Sequence, residues 1–180
     1  MSYPLHRRLL DNFLVWLVTN PRHPAPLPLP PMEDFRTFTD YFESVKLSSD
    51  IRHFSADEFT SYFKVTRRGV TNREPPPEMW GNIVRTLKIV DDLREHLGRP
   101  IVLLSSYRSP EYNRAIGDAA PKSLHLQFRA LDIAVSGKSP AEVFQVLKAW
   151  RAAGRFRGGL GLYRTFVHID TRGTNATWGE

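Results

Sequence analysis

The sequence of 180 residues predicts an α+β domain in which helices flank a small antiparallel sheet. Amphipathic helical patterns come first along the chain and short strand patterns follow towards the C-terminus, an order typical of this class. The hydrophobic content of 41% and the charged content of 24% match those of ordinary globular proteins. The length therefore indicates one folded domain with an extension.

The first 50 residues predict two segments that precede this domain. Residues 1–20 predict an amphipathic N-terminal helix, because apolar residues recur there every four positions. These residues are Leu5, Leu9, Phe13 and Leu17. Basic residues precede the apolar stretch as in a secretory signal, but Asp11 and Asn12 interrupt it and no clear cleavage site follows, so an uncleaved or atypical export signal is the alternative to a helix that packs on the domain. Residues 21–50 predict a stiff proline-rich spacer followed by a short helical segment.

Residues 51–180 predict the folded domain, and its helices have recognisable start and end signals. Ser55 and Glu58 have the spacing of a capping box and begin a short helix. Gly98 ends a long amphipathic helix. The apolar stripe of that helix is Ile83, Leu87, Val90, Leu93 and Leu97. Two further helices begin at Ser109-Pro110 and Ser139-Pro140, where proline occupies a first-turn position.

Strand patterns occupy four segments of the same region. Residues 101–104 predict a buried strand, and residues 130–135 predict a second one. Residues 158–163 and 165–170 predict two strands joined by a short turn. Alternation along the last strand places His168 and Asp170 on one face.

The composition restricts the chemistry that the protein can perform. The sequence has no cysteine, so histidine and carboxylate side chains must hold any bound metal. No apolar run reaches the ~18 residues that a membrane span needs. The net charge of +6 favours polyanionic partners, and the basic surface and the N-terminal helix are expected to contact an anionic cell wall or membrane surface. Nucleic acid is not an expected partner, because the chain has no zinc-finger, RNP or helix-turn-helix signature.

Three residues have side chains of the types that bind zinc. His125 precedes a predicted strand in which Asp132 lies between two apolar residues, and His168 lies in the last predicted strand. A carboxylate in such surroundings is costly unless it is paired or bound to a metal. Two imidazoles and one carboxylate leave a fourth zinc position open for water. From the residues alone, a plain salt bridge between Asp132 and a histidine remains the alternative.

Four motifs, in this order, closely resemble the M15 peptidase family. They are Ser105-Ser-Tyr-Arg-Ser-Pro-Glu-Tyr-Asn113, Ser123-Leu-His-Leu-Gln-Phe-Arg-Ala-Leu-Asp132, Gly159-Leu-Gly-Leu-Tyr163, and Phe166-Val-His-Ile-Asp170 with Trp178. The family comprises zinc-dependent D-Ala-D-Ala carboxypeptidases and murein endopeptidases that share a fold with the hedgehog signalling domain. The resemblance covers residues 51–180 and implies that His125, Asp132 and His168 bind Zn²⁺.

The resemblance also implies roles for residues around the metal. Arg108 matches an arginine that faces the reacting centre, where it binds a substrate carboxylate or steadies the developing oxyanion. Tyr107 and Ser123 are expected to contact the substrate, although Ser123 also fits a turn position.

Two positions depart from the family pattern. Phe128 stands where the family has a glycine, and a bulky residue there is expected to reshape the loop or narrow the pocket. Thr165 and Phe166 stand where relatives have a glutamate or a histidine that acts as the general base. Asp170 is therefore the predicted base, and its alternative role is to orient His168.

These expectations define a zinc metallopeptidase that cuts stem or cross-link peptides of peptidoglycan. The alternative is a non-catalytic cell-wall-binding domain that retains the peptidase fold. Such an enzyme would act in the cell envelope, the periplasm or outside the cell, or remain cytoplasmic before release if the chain is a phage lysin.

Overall fold

A computed structural model describes residues 29–30, 34–117 and 119–179 of the chain. The predicted N-terminal helix over residues 1–20 and most of the proline-rich spacer lie outside these ranges. Within them, no helix has the length and apolar character needed to cross a membrane.

The described ranges form five α-helices, seven strands and three 3₁₀ turns. The helices are α1 (Phe38–Ser49), α2 (Ala56–Thr60), α3 (Val84–Leu97), α4 (Pro110–Ile116) and α5 (Pro140–Ala152). The strands are β1 (Thr66–Arg67), β2 (Val70–Thr71), β3 (Ile101–Ser105), β4 (Ala130–Val135), β5 (Gly159–Leu162), β6 (Val167–Asp170) and β7 (Ala176–Trp178). The 3₁₀ turns are Tyr62–Lys64, Pro77–Ile83 and Leu124–Gln127. The helices predicted from residue 51 onwards are all present.

Local capping interactions explain why these helices begin and end where they do. The backbone N–H of Ser55 donates to Glu58 Oε2 at 2.8 Å, and that of Ser139 donates to Glu142 Oε2 at 2.8 Å. Each glutamate thereby satisfies a backbone donor that the first turn of its helix leaves unpaired. Gly98 ends α3 with a φ of 57°, a left-handed conformation that glycine adopts at little cost.

A five-stranded sheet with the order β3-β4-β6-β5-β7 forms the centre of the domain. Neighbouring strands are antiparallel except for β5 and β7, which are parallel. The predicted α+β class is confirmed, although the one parallel pair makes this larger sheet mixed. Strand β7 and the small β1–β2 hairpin were not predicted, because strands of two or three residues are too short to show an alternating pattern.

One row of paired residues crosses this sheet. Ser105 pairs with Asp132, Asp132 with His168, His168 with Gly161, and Gly161 with Trp178. Residues opposite one another in neighbouring strands project from the same face of a sheet. This face of the sheet carries the candidate site, and the opposite face packs on the hydrophobic core.

Strand β3 lies at one edge of the sheet, so the prediction of a buried strand is only partly correct. Ile101 is buried, but Val102 is 55% exposed and Leu104 is 43% exposed. A bulge between Leu103 and Ser105 shifts the register, so that Ser105 lies opposite Asp132.

An aromatic core includes residues of α1, which precedes residue 51. Phe38 of α1 lies at the centre of this core, with its ring centroid between 5.5 and 6.1 Å from those of five other rings. These rings belong to Phe42, Phe59, Phe63, Trp80 and Phe128. Helix α1 corresponds to the short helical segment predicted before residue 51, and it packs against this core.

Candidate metal centre

Three buried side chains converge on the functional face of the sheet. His125 Nε2 lies 3.2 Å from Asp132 Oδ1, and His168 Nδ1 lies 2.8 Å from the same oxygen. The two imidazole nitrogens are 3.2 Å apart. The structure thus brings together the three residues that the sequence predicted as metal ligands.

Strand pairing and a capped turn hold these three side chains in place. Asp132 of β4 and His168 of β6 are direct partners in the sheet. His125 lies in the 3₁₀ turn that leads into β4, and Ser123 Oγ accepts the backbone N–H of His125 at 3.3 Å. Ser123 therefore occupies a turn position. It also lines the pocket described below.

The outer nitrogen of each imidazole has its own acceptor. His125 Nδ1 lies 2.6 Å from the carbonyl oxygen of Ser106, which can only accept, so Nδ1 donates a proton. His168 Nε2 lies 3.2 Å from Asp170 Oδ2 and donates to that carboxylate. Partners of this kind fix the tautomer and direct the other nitrogen of each ring towards a metal.

The inward-facing atoms fit a bound cation. With the outer nitrogens protonated, His125 Nε2, His168 Nδ1 and Asp132 Oδ1 present lone pairs to one another within 3.2 Å. Three such atoms buried together repel one another unless they share a proton or a metal ion. Two nitrogens and one carboxylate oxygen are a ligand set that zinc accepts, with a fourth position left for water or substrate.

The pKa values of the three groups follow from burial and mutual contact. Burial opposes ionisation of Asp132, but the contacts with His125 and His168 outweigh it and hold the pKa of that carboxyl well below its usual range. Burial lowers the pKa of His125. Burial also disfavours a charge on His168, yet the hydrogen bonds to Asp132 and Asp170 raise its pKa. A proton on His168 therefore competes with a metal for the same site.

Arg108 contacts the candidate ligand Asp132 directly. Its Nη2 donates to Asp132 Oδ2 at 2.5 Å, and its Nε donates to Ser105 Oγ at 2.8 Å. The guanidinium thus holds the outer carboxylate oxygen of Asp132 and leaves Oδ1 for the histidines. The side chain is largely buried but lines the pocket.

Asn72 holds the loop that carries Arg108. It is 4% exposed, and its Nδ2 donates to the carbonyl of Tyr107 at 2.8 Å while its Oδ1 accepts the N–H of Ser109 at 2.9 Å. The side-chain amide therefore pairs with the backbone on both sides of Arg108. Sequence reasoning missed this residue, because no local pattern relates an asparagine after β2 to a loop after β3.

Tyr107 does not occupy the position expected of a substrate-binding residue. Its side chain is 3% exposed, and its ring packs edge-on against Phe128 at a centroid distance of 6.0 Å. It is absent from the pocket lining. Tyr107 was predicted to contact the substrate, but the structure places its side chain in the aromatic core.

Phe128 likewise packs in the core. Its ring is fully buried among Phe38, Phe59, Phe63 and Tyr107, and it does not line the pocket, so the expected narrowing does not occur. Its φ of 53° is left-handed. The glycine of the family pattern suits this conformation, which costs other residues about 1–2 kcal/mol.

Asp170 lies beneath the metal centre and is completely buried. Its Oδ1 accepts from the backbone N–H of Gly159 at 2.9 Å and from that of Arg172 at 3.1 Å. Its Oδ2 accepts from Arg172 Nη2 at 2.6 Å and faces His168 Nε2. Burial opposes ionisation, but the hydrogen bonds from His168 and Arg172 prevail and hold the pKa of Asp170 well below its usual range.

The two glycines of the Gly159-Leu-Gly161 motif leave room for site residues. A Cβ at Gly159 would overlap Asp170 Oδ2, and a Cβ at Gly161 would overlap the indole of Trp178. The Trp178 ring therefore lies across Gly161, with its centroid 5.2 Å from that of His168. Its Nε1 donates to the Tyr163 hydroxyl at 3.0 Å.

A pocket of about 1060 Å³ opens over the three candidate ligands. On the β3 side, Tyr62 and Tyr112 line it, and on the β7 side Tyr163, Phe166 and Trp178 do so.

Four cationic side chains line the pocket: Arg67, Arg108, Lys122 and Arg172. Among the lining residues that the structure describes, Asp132 is the only carboxylate.

The structure thus places a buried His-Asp-His group, which could hold a metal ion, on a mixed sheet and in the lining of a pocket. The chain belongs to the peptidase M15 family, because the family model described as Peptidase M15 matches residues 52–170. Comparisons with curated proteins and with solved structures gave no match. The matched range contains all three candidate ligands and Asp170, and membership of this family implies peptidase activity.

Proposed function

We propose that this peptidase is zinc-dependent and hydrolyses peptide bonds in the stem or cross-link peptides of peptidoglycan. The observation that carries the proposal is the group His125, Asp132 and His168, whose inward lone pairs face one another at the base of the pocket. A bound zinc ion supplies Lewis acidity, which polarises a peptide carbonyl and activates water as a nucleophile.

The chain's own residues hold and tune this centre. His125 Nε2, His168 Nδ1 and Asp132 Oδ1 would bind the ion, while the Ser106 carbonyl and Asp170 keep the two rings oriented. Arg108 offsets the charge of Asp132 and keeps its remaining N–H groups near the pocket. Those groups suit a substrate carboxylate or a developing oxyanion.

Asp170 has an orienting role in this proposal, in place of the general-base role predicted from the sequence. A base must reach the attacking water directly or through one further water. Asp170 is fully buried, both of its oxygens accept hydrogen bonds, and it contacts the ring nitrogen of His168 that faces away from Asp132.

The replacement Asp170→Asn separates these two roles. If Asp170 orients His168, zinc affinity falls by roughly 10–100-fold, because a neutral amide is a weaker partner for the imidazole N–H. Competition titration with a chromophoric chelator measures this change. Asp92→Asn, which alters a surface carboxylate paired with Lys88, is the matched control. Unchanged zinc affinity together with a loss of kcat would instead assign Asp170 as the base.

The charges around the pocket support an acidic peptide as the substrate. Arg108 is offset by Asp132 and Arg172 by Asp170, whereas Arg67 and Lys122 have no ion pair within the described residues. Stem peptides of peptidoglycan carry free carboxylates that complement such cations. The net charge of +6 further supports association with an anionic wall or membrane surface.

A non-catalytic cell-wall-binding domain is the second candidate function. The observation that favours it is the absence of any carboxylate other than Asp132 from the described pocket lining, since related peptidases use a separate base. This domain would bind zinc and muropeptides without cutting them.

Digestion of purified sacculi distinguishes the two functions. The zinc-loaded protein is expected to release muropeptides whose masses identify the cleaved bond, and removal of zinc by a chelator is expected to abolish the release. Elemental analysis is expected to give about one zinc per chain, as a three-ligand site requires. Zinc-loaded protein that sediments with sacculi but releases no fragment would support the binding domain instead.

A further inference from the structure

A chain of hydrogen bonds leads from Arg108 to a tyrosine hydroxyl in the pocket. Arg108 Nε donates to Ser105 Oγ at 2.8 Å, and Ser105 Oγ donates to Tyr62 Oη at 3.0 Å. All three side chains line the pocket. The sequence motifs include Ser105 and Arg108 but not Tyr62, which precedes them by more than forty residues.

The direction of this chain follows from the chemistry of its members. A guanidinium has no acceptor, so Ser105 Oγ must accept from Arg108. The single hydroxyl proton of Ser105 is then donated to Tyr62. The Tyr62 oxygen accepts this bond, and its own proton is directed to the neighbouring Tyr112 hydroxyl or to a group in the pocket. Because bonds in such a chain polarise one another, the positive charge of Arg108 makes the Tyr62 hydroxyl a stronger donor.

Tyr62 lines the same pocket as the candidate ligands, and Ser105 links it to His125 on the side of that ring that faces away from Asp132. Ser105, its partner, lies opposite Asp132 in the sheet, and Ser105 Oγ is 3.5 Å from His125 Nδ1. One serine hydroxyl therefore separates the phenol from the ring of a candidate ligand. The next residue, Phe63, is buried in the aromatic core and fixes the 3₁₀ turn that carries Tyr62.

The environment keeps Tyr62 in its protonated form. Burial raises the pKa of Tyr62 to about 12, and the neighbouring phenol Tyr112 adds to this effect, although Ser105 and Arg108 act in the opposite direction. At neutral pH the group is consequently a hydrogen-bond donor and does not act as a base.

We propose that Tyr62 is a catalytic residue that donates a hydrogen bond to the carbonyl oxygen of the scissile peptide bond as negative charge develops there. This inference rests on the proposed peptidase function and adds a residue to its machinery. Arg108 already donates hydrogen bonds from Nε to Ser105 and from Nη2 to Asp132. Its positive charge therefore polarises the Tyr62 hydroxyl through the Ser105 hydroxyl. A donor held in place before the reaction costs no reorganisation when the charge forms.

Tyr62→Phe tests the proposal, because it removes one oxygen atom and keeps the ring. In the zinc-loaded protein, kcat is expected to fall by about 10²–10³-fold, the usual loss for one oxyanion donor, with little change in KM or zinc content. Binding of a phosphinate analogue of the cleaved bond, measured by calorimetry, is expected to weaken at least about 10-fold, since the phosphinate mimics the charged intermediate.

Tyr41→Phe is the matched control. It removes a buried core hydroxyl that has no hydrogen-bond partner among the described residues, and it is expected to leave both measurements unchanged. A Tyr62→Phe protein with near-normal kcat and phosphinate affinity, beside an active wild type, would overturn the role of Tyr62 alone. A zinc-loaded wild type that cleaves no muropeptide would overturn the proposed function and this inference with it.

Discussion

Replacing His125 with alanine is expected to abolish both zinc binding and muropeptide cleavage. The variant keeps only Asp132 and His168 as candidate ligands, and two ligands do not make a stable zinc site. It also leaves the buried carbonyl of Ser106 without its donor, which costs about 1–3 kcal/mol of stability. Zinc content by elemental analysis and cleavage of sacculi measure the two losses directly.

The control for this variant is His96→Ala. His96 is an exposed histidine at the end of α3 that packs against Trp150, so its removal alters the same residue type away from the centre. It is expected to retain zinc and activity. Circular dichroism of the His125→Ala protein establishes that it remains folded. Retention of one zinc per chain and of normal cleavage by folded His125→Ala protein would reject the assignment of the ligands.

Phe128→Ala is expected to cost about 3–5 kcal/mol of folding free energy, the usual range for deleting a buried aromatic ring. The ring touches four other aromatic side chains, so its removal leaves a cavity where α1, α2 and the loop of Tyr107 meet. Phe128→Gly loses the same ring, but it relieves the left-handed strain at a φ of 53°. We therefore expect the glycine variant to be about 1 kcal/mol more stable than the alanine variant.

Urea denaturation of the two variants and the wild type measures these differences. Both variants are expected to cleave substrate at temperatures where they remain folded, because Phe128 does not line the pocket. A glycine variant less stable than the alanine variant would contradict the strain argument. Full stability with altered substrate preference would instead place the ring at the pocket.

The sequence predicted best those features that short-range signals determine. Ser55, Gly98 and Ser139 indicated helix ends correctly, because each acts on backbone groups within its own turn. The grouping of His125, Asp132 and His168 was implied by the resemblance to the M15 family and not by a short-range signal.

Features that depend on distant contacts were not predictable in this way. The helical pattern of α1 was visible, but its place in the core depends on Phe59, Trp80 and Phe128, far along the chain. The same is true of Asn72 and Tyr62, whose partners lie in the loop after β3 and at its last residue. Phe128 was visible as a departure from the family pattern, yet only its backbone angle and neighbours explain it.

The row of paired residues across the sheet depends on the register of β6 against β4. Side chains alternate between the two faces of a strand, so sliding β6 past β4 by a single position would direct Asp132 and His168 to opposite sides. Any shift of β6 by an odd number of residues therefore separates the candidate ligands. A metal ion that binds only the correct register would lower the free energy of that register relative to the misaligned ones. Metal binding would thereby stabilise the native pairing of β4 and β6.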